Sequence, residues 1–295
     1  MISISEILGA LELGFIFALT AFALFLSFRV LNIADMTTDG TFTLGCAVSA
    51  TLAVLGHPII ALPAAMLAGA AAGCVTAFLQ TKLKVPSILA GLITNTGLYT
   101  VNLAVMGFSS NVAMLKTATL FTMVKETLGS VYKLVPAAAF ALLVGVLMVL
   151  FLKTRLGLSI RATGDNADMV RASSINTGFT VTVGLAIANS LTALSGAVYA
   201  QYQRSASMDM GTGMVIIGLA SLIIGETLLP KTKLWIKAIA VVAGSVVYRL
   251  IMAVALRLDL PTEFLKLISA VIVALAIGLP ALKGEKKAKG GKAKC

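Results

Sequence analysis

Six polar side chains sit where the sequence is otherwise apolar. Asp35, Thr38 and Asp39 fall in Arg29-Val-Leu-Asn-Ile-Ala-Asp-Met-Thr-Thr-Asp-Gly-Thr41, just before an uncharged run, and Asn95, Asn102 and Asn189 each interrupt a long apolar stretch. A carboxylate or carboxamide among apolar neighbours is costly unless it is paired or faces a water-filled path, so these six are candidates for lining a translocation pathway. Packing is the competing reading: asparagine commonly bonds a neighbouring helix, and Thr96, Ser190 and Thr192 can bond their own. Both readings stay open. Catalysis finds no footing, because the chain has one histidine, no HExxH or paired-aspartate motif, and three cysteines at unrelated spacings. No GxxxxGK[ST] phosphate loop occurs, so this chain is expected to hydrolyse no ATP and to bind no metal or cofactor itself.

A second group of chemistry-bearing residues lies in the polar segment 153–178. Asp165 is a suitable N-cap and Asp168, three residues on, a short capping-box partner, which predicts a helix of about two turns from Asn166 to Ser174. A helix of that length neither spans a bilayer nor stands alone in water, so something must hold it. Met169, Val170, Ala172 and Ser173 offer a small apolar surface flanked by Arg161 and Arg171. It could dock into a partner's groove, or rest on its own bundle or on lipid headgroups.

The elements that must position these residues follow from composition. Of 295 residues, 59% are hydrophobic and 12% charged, and the mean hydropathy is +1.00. That charge cannot clothe a water-soluble surface of this size, where about 25% is usual, so the sequence predicts an all-α, polytopic transmembrane bundle. Uncharged runs of about 20 residues, the length a bilayer core requires, give about nine spans: 7–28, 41–56, 58–80, 86–106, 131–152, 179–200, 213–229, 234–257 and 263–281. The run 41–56 is short for a span and follows Asp35 and Asp39. It reads either as part of a broken or re-entrant element over 29–56 or as a helix after an ordinary loop. Residues 1–282 are expected to form one domain and 283–295 a lysine-rich tail.

The net charge of +11 is concentrated in that tail, which has six lysines against Glu285, and in the loops on one side: Arg29, Lys82, Lys84, Lys153, Arg155, Arg161, Arg171, Lys231 and Lys233. By the positive-inside rule these are cytoplasmic and the N-terminus is outside; the pattern argues for a bilayer and against nucleic acid as the partner. Residues 107–130 form the longest external connection, with a short surface helix expected in it. Gly69, Gly73, Ala188, Ser195 and Gly196 make faces that permit close helix approach. Glu226 is expected to form an ion pair near Lys231 and Lys233, and Arg249, within the eighth span, to find an acid, a carbonyl or the outer surface. Glu12 and Glu226 are the only embedded acids on this reading, both near span ends, which weakens the alternative of an ion-coupled secondary transporter.

The run Gly157-Leu-Ser-Ile-Arg-Ala-Thr-Gly-Asp-Asn-Ala-Asp-Met-Val-Arg-Ala, followed by Ile175-Asn176-Thr177, resembles the coupling loop of permease subunits in ABC importers of the branched-chain amino acid and ribose permease superfamily. Leu31-Asn-Ile-Ala-Asp-Met-Thr-Thr-Asp-Gly-Thr-Phe42 and Gly218-Leu-Ala-Ser-Leu-Ile-Ile-Gly-Glu226 resemble more narrowly the permeases of tryptophan and tyrosine importers. The similarity spans nearly the whole chain. It implies two permease subunits, as a homodimer, two cytosolic ATPase subunits holding ATP and magnesium, and an extracytoplasmic substrate-binding lipoprotein. It also implies that Arg161, Gly164, Asp165, Asn166, Asp168, Met169, Val170, Arg171 and Ala172 contact the ATPase. Ser173-Ser174 stand where that family usually has leucine and glycine, so the helix end must be capped without glycine.

Overall fold

A computed structural model describes residues 4–115, 117–230, 233–256 and 271. Helix α1 (Ile4–Leu24) runs on into a π-helical turn, Phe25–Val30. An irregular stretch over 31–37 then leads into α2 (Thr38–Val54), followed by α3 (Ala61–Thr81) and α4 (Ser87–Val105). The next connection holds a strand, β1 (Asn111–Ala113), and two one-turn helices, α5 (Leu120–Met123) and α6 (Lys125–Leu128). Helix α7 (Leu134–Lys153) is followed by α8 (Arg155–Asp165), α9 (Ala167–Ala172) and the long α10 (Thr177–Gln203). Strand β2 (Ser205–Ser207), a 3-10 turn over Met208–Gly211, α11 (Met214–Leu228) and α12 (Leu234–Leu256) complete the described chain.

Seven helices among the described residues are long and apolar enough to cross a membrane, so the expected count of about nine is slightly high for them. Segment 41–56 is helical as α2, but α2 has only 17 residues; the expected span 263–281 and the tail lie outside the described residues. Leu92 and Ile93 on α4 and Leu142, Leu143, Leu147 and Leu150 on α7 are exposed, a surface suited to lipid tails rather than water. Pro63 and Pro136 each occupy the third position of their helix, where a missing N–H removes no intrahelical bond.

Helix α10 is the central post, packed on α1, α2 and α3. Small residues set its spacing: a Cβ added at Gly69 or Gly73 would fall 2.5 Å from the carbonyl oxygen of Asn189 or Leu185. Hydroxyl bonds add to this, Ser195 Oγ donating to the Ile16 carbonyl (2.9 Å) and Ser245 Oγ, on α12, to that of Gly14 (2.7 Å).

The cross-links between α2 and α10 settle how 29–56 is built. Thr41 bonds Asn189 and Ser49 bonds the Ala197 carbonyl, so α2 runs parallel to α10 and begins level with its middle. The lower half of that layer is the irregular stretch, reached by a chain reversal at Asn32 (φ +55°). Of the two readings of this region, the structure has the broken element. The expected external connection holds a feature that sequence does not show: β1 pairs antiparallel with β2, Asn111 opposite Ser207.

Candidate functional site

Because α2 starts partway along the bundle, its first turn can meet the first turn of α11. Asp39 Oδ1 accepts the Val215 N–H (2.9 Å) and Oδ2 the Gly213 N–H (3.0 Å), a carboxylate on amides that the helix leaves without acceptors. Beside this junction opens a recess of about 320 Å³ lined by Asp39, Gly40, Thr43, Asn95, Tyr99 and Asn102, with the Met208–Gly211 turn closing one side. Asn102 Nδ2 donates to the Gly40 carbonyl (3.1 Å), while its Oδ1 is buried with no partner among the described residues. Tyr99 is 59% exposed on the same wall. The wall thus carries the Asp39 carboxylate, already bonded to two amides, the Asn95 and Asn102 carboxamides and the Tyr99 ring.

The other three pathway candidates lie elsewhere. Asp35 and Asn189 are each 1% exposed and Thr38 is 2% exposed. Asn189 Nδ2 donates to Asp35 Oδ2 (2.7 Å) and to the Leu185 carbonyl (3.0 Å), while its Oδ1 accepts from Thr41 Oγ1 (2.8 Å). Thr37 N–H supplies Asp35 Oδ1 (2.9 Å), and Thr38 Oγ1 leans on the Asp35 carbonyl (3.4 Å). This closed network holds the break between the irregular stretch and α2 against α10. It also corrects the expectation about embedded acids, since Asp35 and Asp39 both lie inside the bundle. The arrangement was hidden because the sequence leaves open whether 29–41 is a loop.

At the end of the bundle reached by Arg29, α8 and α9 form an elbow. The expected loop 153–165 is a helix capped by Thr154, whose Oγ1 accepts the Gly157 N–H (3.2 Å). Gly157, Ile160 and Thr163 face inward at a three-residue spacing, the one signal from which α8 could have been read. Gly164 lies against the backbone of Val30 and Leu31, the start of the irregular stretch, and the Thr163 hydroxyl meets that of Thr180 on α10 at 2.9 Å.

Helix α9 is shorter than expected, and its N-cap is Asn166 rather than Asp165, which is the last residue of α8. Asn166 Oδ1 accepts the N–H groups of Asp168 and Met169 (3.1 and 3.0 Å). Asp168 pairs with Arg171 Nη1 (2.8 Å) instead of completing a capping box. Arg161 is half-buried and Gly164 stays beside the bundle, whereas Asp165, Asn166, Asp168, Arg171 and Ala172 are exposed. The apolar surface splits: Val170 is 3% exposed against the bundle and Met169 is 65% exposed. At its far end Ser174 takes the left-handed position (φ +60°) and the Ile175 N–H reaches the Val170 carbonyl (3.3 Å), a Schellman closure without glycine.

Two further charged residues have partners that sequence proximity does not indicate. Glu226 pairs with Arg29, not with Lys233. The Arg249 guanidinium stacks 3.8 Å from the Phe17 ring centroid.

The fold and the recess define a polytopic membrane protein built as a helical bundle. The chain belongs to the family described as branched-chain amino acid transport system / permease component, whose model matches residues 6–278. It is therefore a permease component of a transport system, and the family is one of transport proteins rather than enzymes. It is 34% identical over 270 residues to a tyrosine transport system permease protein of Clostridioides difficile (strain R20291), covering 91% of this chain and 89% of that one. An uncharacterized protein of Rickettsia prowazekii (strain Madrid E) is 31% identical over 95% of this chain and 98% of its own. More distantly, the inner membrane ABC transporter permease protein YjfF of Escherichia coli (strain K12) is 26% identical over 75% of each chain. No solved structure matches. The family resemblance read from the three sequence blocks holds across the chain.

Proposed function

We propose that this chain is the transmembrane subunit of an ATP-binding-cassette importer for a small solute, an amino acid and, from the tyrosine system relative, an aromatic one. Two copies form the pathway, with the Asp39, Asn95 and Asn102 recess on its wall. An extracytoplasmic binding protein delivers the solute, and two cytosolic ATPase subunits hold ATP and magnesium. The α8–α9 end, with its basic residues, is cytoplasmic.

The observation that carries this reading is the split surface of α9, anchored by Val170 while Met169 projects 65% exposed from the bundle. A helix resting on its own bundle would bury its largest apolar side chain first. Pushing α9 moves α8, and α8 bears on Val30, Leu31 and Thr180. Through them the push reaches the irregular stretch and the first turn of α2, where the recess lies. ATP-driven closure of the ATPase pair would in this way open or shut the recess to either side.

Met169→Asp tests it. A charge desolvated in an apolar contact costs a few kcal/mol, on the order of 2 to 4, so co-purification with the ATPase and solute-stimulated ATP hydrolysis should collapse while the permease stays folded. Unchanged co-purification and stimulation would show that this face does not dock. An ion-coupled carrier gains from the burial of Asp35 and Asp39, yet the oxygens of both already accept hydrogen bonds. Uptake persisting without the ATPase would restore that alternative.

A further inference from the structure

A second cavity lies away from the recess. It measures about 810 Å³ between the end of α3, the first turn of α10 and α9, and its wall carries Lys82, Lys84 and Arg171 with no carboxylate among the described residues. Asp168, which pairs with Arg171, is outside the wall and 90% exposed, so water screens most of its charge. Between the cations stand Thr177 and Gly178, whose N–H groups open the 27-residue α10 and have no acceptor within it. Gln80 adds an Nε2 that is buried with no partner among the described residues.

Cations, open amides and an unmet carboxamide donor all call for one kind of ligand, an anion with several acceptor oxygens. A phosphate has the oxygens to meet them together, and basic side chains at a helix start suit it. The flank identifies the source. Phe179 on the cavity wall is 54% exposed, and Phe78 and Leu83 beside Lys82 are 55% and 59% exposed. This apolar surface is of no use to a soluble ion and suits acyl chains.

The geometry points to a binding site for the phosphate of an anionic phospholipid headgroup, held by Lys82, Lys84, Arg171 and the start of α10. It does not depend on the importer reading, since either bilayer surface presents phosphate. Because Arg171 Nε also donates to Thr177 Oγ1 (3.1 Å), the lipid would tie α9 to the first turn of α10.

The test uses the full chain in detergent, offered equal phosphatidylglycerol and phosphatidylcholine, with retained lipid read by native mass spectrometry. The wild type should keep phosphatidylglycerol. Lys82→Gln with Lys84→Gln should lower its retention about 25-fold, since each lysine near an anionic lipid is worth about fivefold. Gln80→Leu, which removes a donor and no charge, should also lower it, though less. Lys153→Gln, at the same end but stacked on Trp235, should change nothing. Equal retention of the two lipids by the wild type, or equal loss in Lys153→Gln and the double variant, would overturn the site. Thermal protection by inorganic phosphate alone, lost in the double variant and without any lipid preference, would move the source to a soluble phosphate and overturn the lipid assignment.

Discussion

Asn189 Nδ2 lies 2.7 Å from Asp35 Oδ2, joining the middle of α10 to the stretch that precedes α2. The pair is buried and supplies one of the two hydrogen bonds that hold the Asp35 carboxyl where the chain abandons helical hydrogen bonding. Asn189→Leu should therefore cost about 1 to 3 kcal/mol by leaving Asp35 Oδ2 buried without its partner. Replacing both residues by leucine should recover part of the loss, because a missing pair is cheaper than an orphaned partner. Thermal unfolding of the detergent-solubilised protein measures both, and a double variant no more stable than Asn189→Leu would show that the pair is not the source of the cost.

The same pair shows how far the sequence could be read. An asparagine within an apolar run marks Asn189 as special, and the amide at position 95 is marked in the same way. What such a run does not reveal is whether the amide meets solute or protein. That depended on Asp35, whose place in the fold turned on a seven-residue irregular stretch with no periodicity of its own. Helix α8 was missed because Arg155, Arg161 and Asp165 make the segment polar, and only the spacing of Gly157, Ile160 and Thr163 shows its inward face. Strands β1 and β2 are three residues each, too short for alternation to register.

Orientation can be tested with a native thiol. Placing the basic loops and the tail inside makes Cys295 cytosolic, while Cys46 is buried and the exposed Cys74 on α3 is replaced by alanine for the test. An impermeant maleimide should label Cys295 only after cells are opened. Labelling in intact cells would invert the assignment of both ends, and with it the side from which α9 could meet an ATPase.

Ser174 pays a conformational cost that glycine would not. Its φ of +60° is left-handed, a region that costs a residue with a Cβ about 1 kcal/mol or more. Ser174→Gly should relieve this while loosening the unfolded chain, for a net gain of up to about 1 kcal/mol, local to α9. Slower amide exchange over 167–175, by up to about fivefold, would report it. Faster exchange would mean that the serine side chain itself holds the turn.

Asp39 both supports the fold and faces the recess, and two substitutions separate these roles. Alanine removes the acceptors for Gly213 and Val215 and should lower stability by about 1 to 2 kcal/mol, as losing a helix cap does. Asparagine keeps a carbonyl oxygen for one of those amides and should cost the fold less than about 1 kcal/mol, the worth of a charge at a helix start. If the carboxylate also meets the ammonium group of an amino acid, Asp39→Asn still loses a charge-assisted bond. Such bonds are worth about 1.5 to 3 kcal/mol, so uptake into proteoliposomes reconstituted with the partner subunits should fall about tenfold or more. Uptake that tracks melting temperature across both variants would assign Asp39 to holding α11 alone. Uptake lost in a variant that melts normally would assign it to the solute as well.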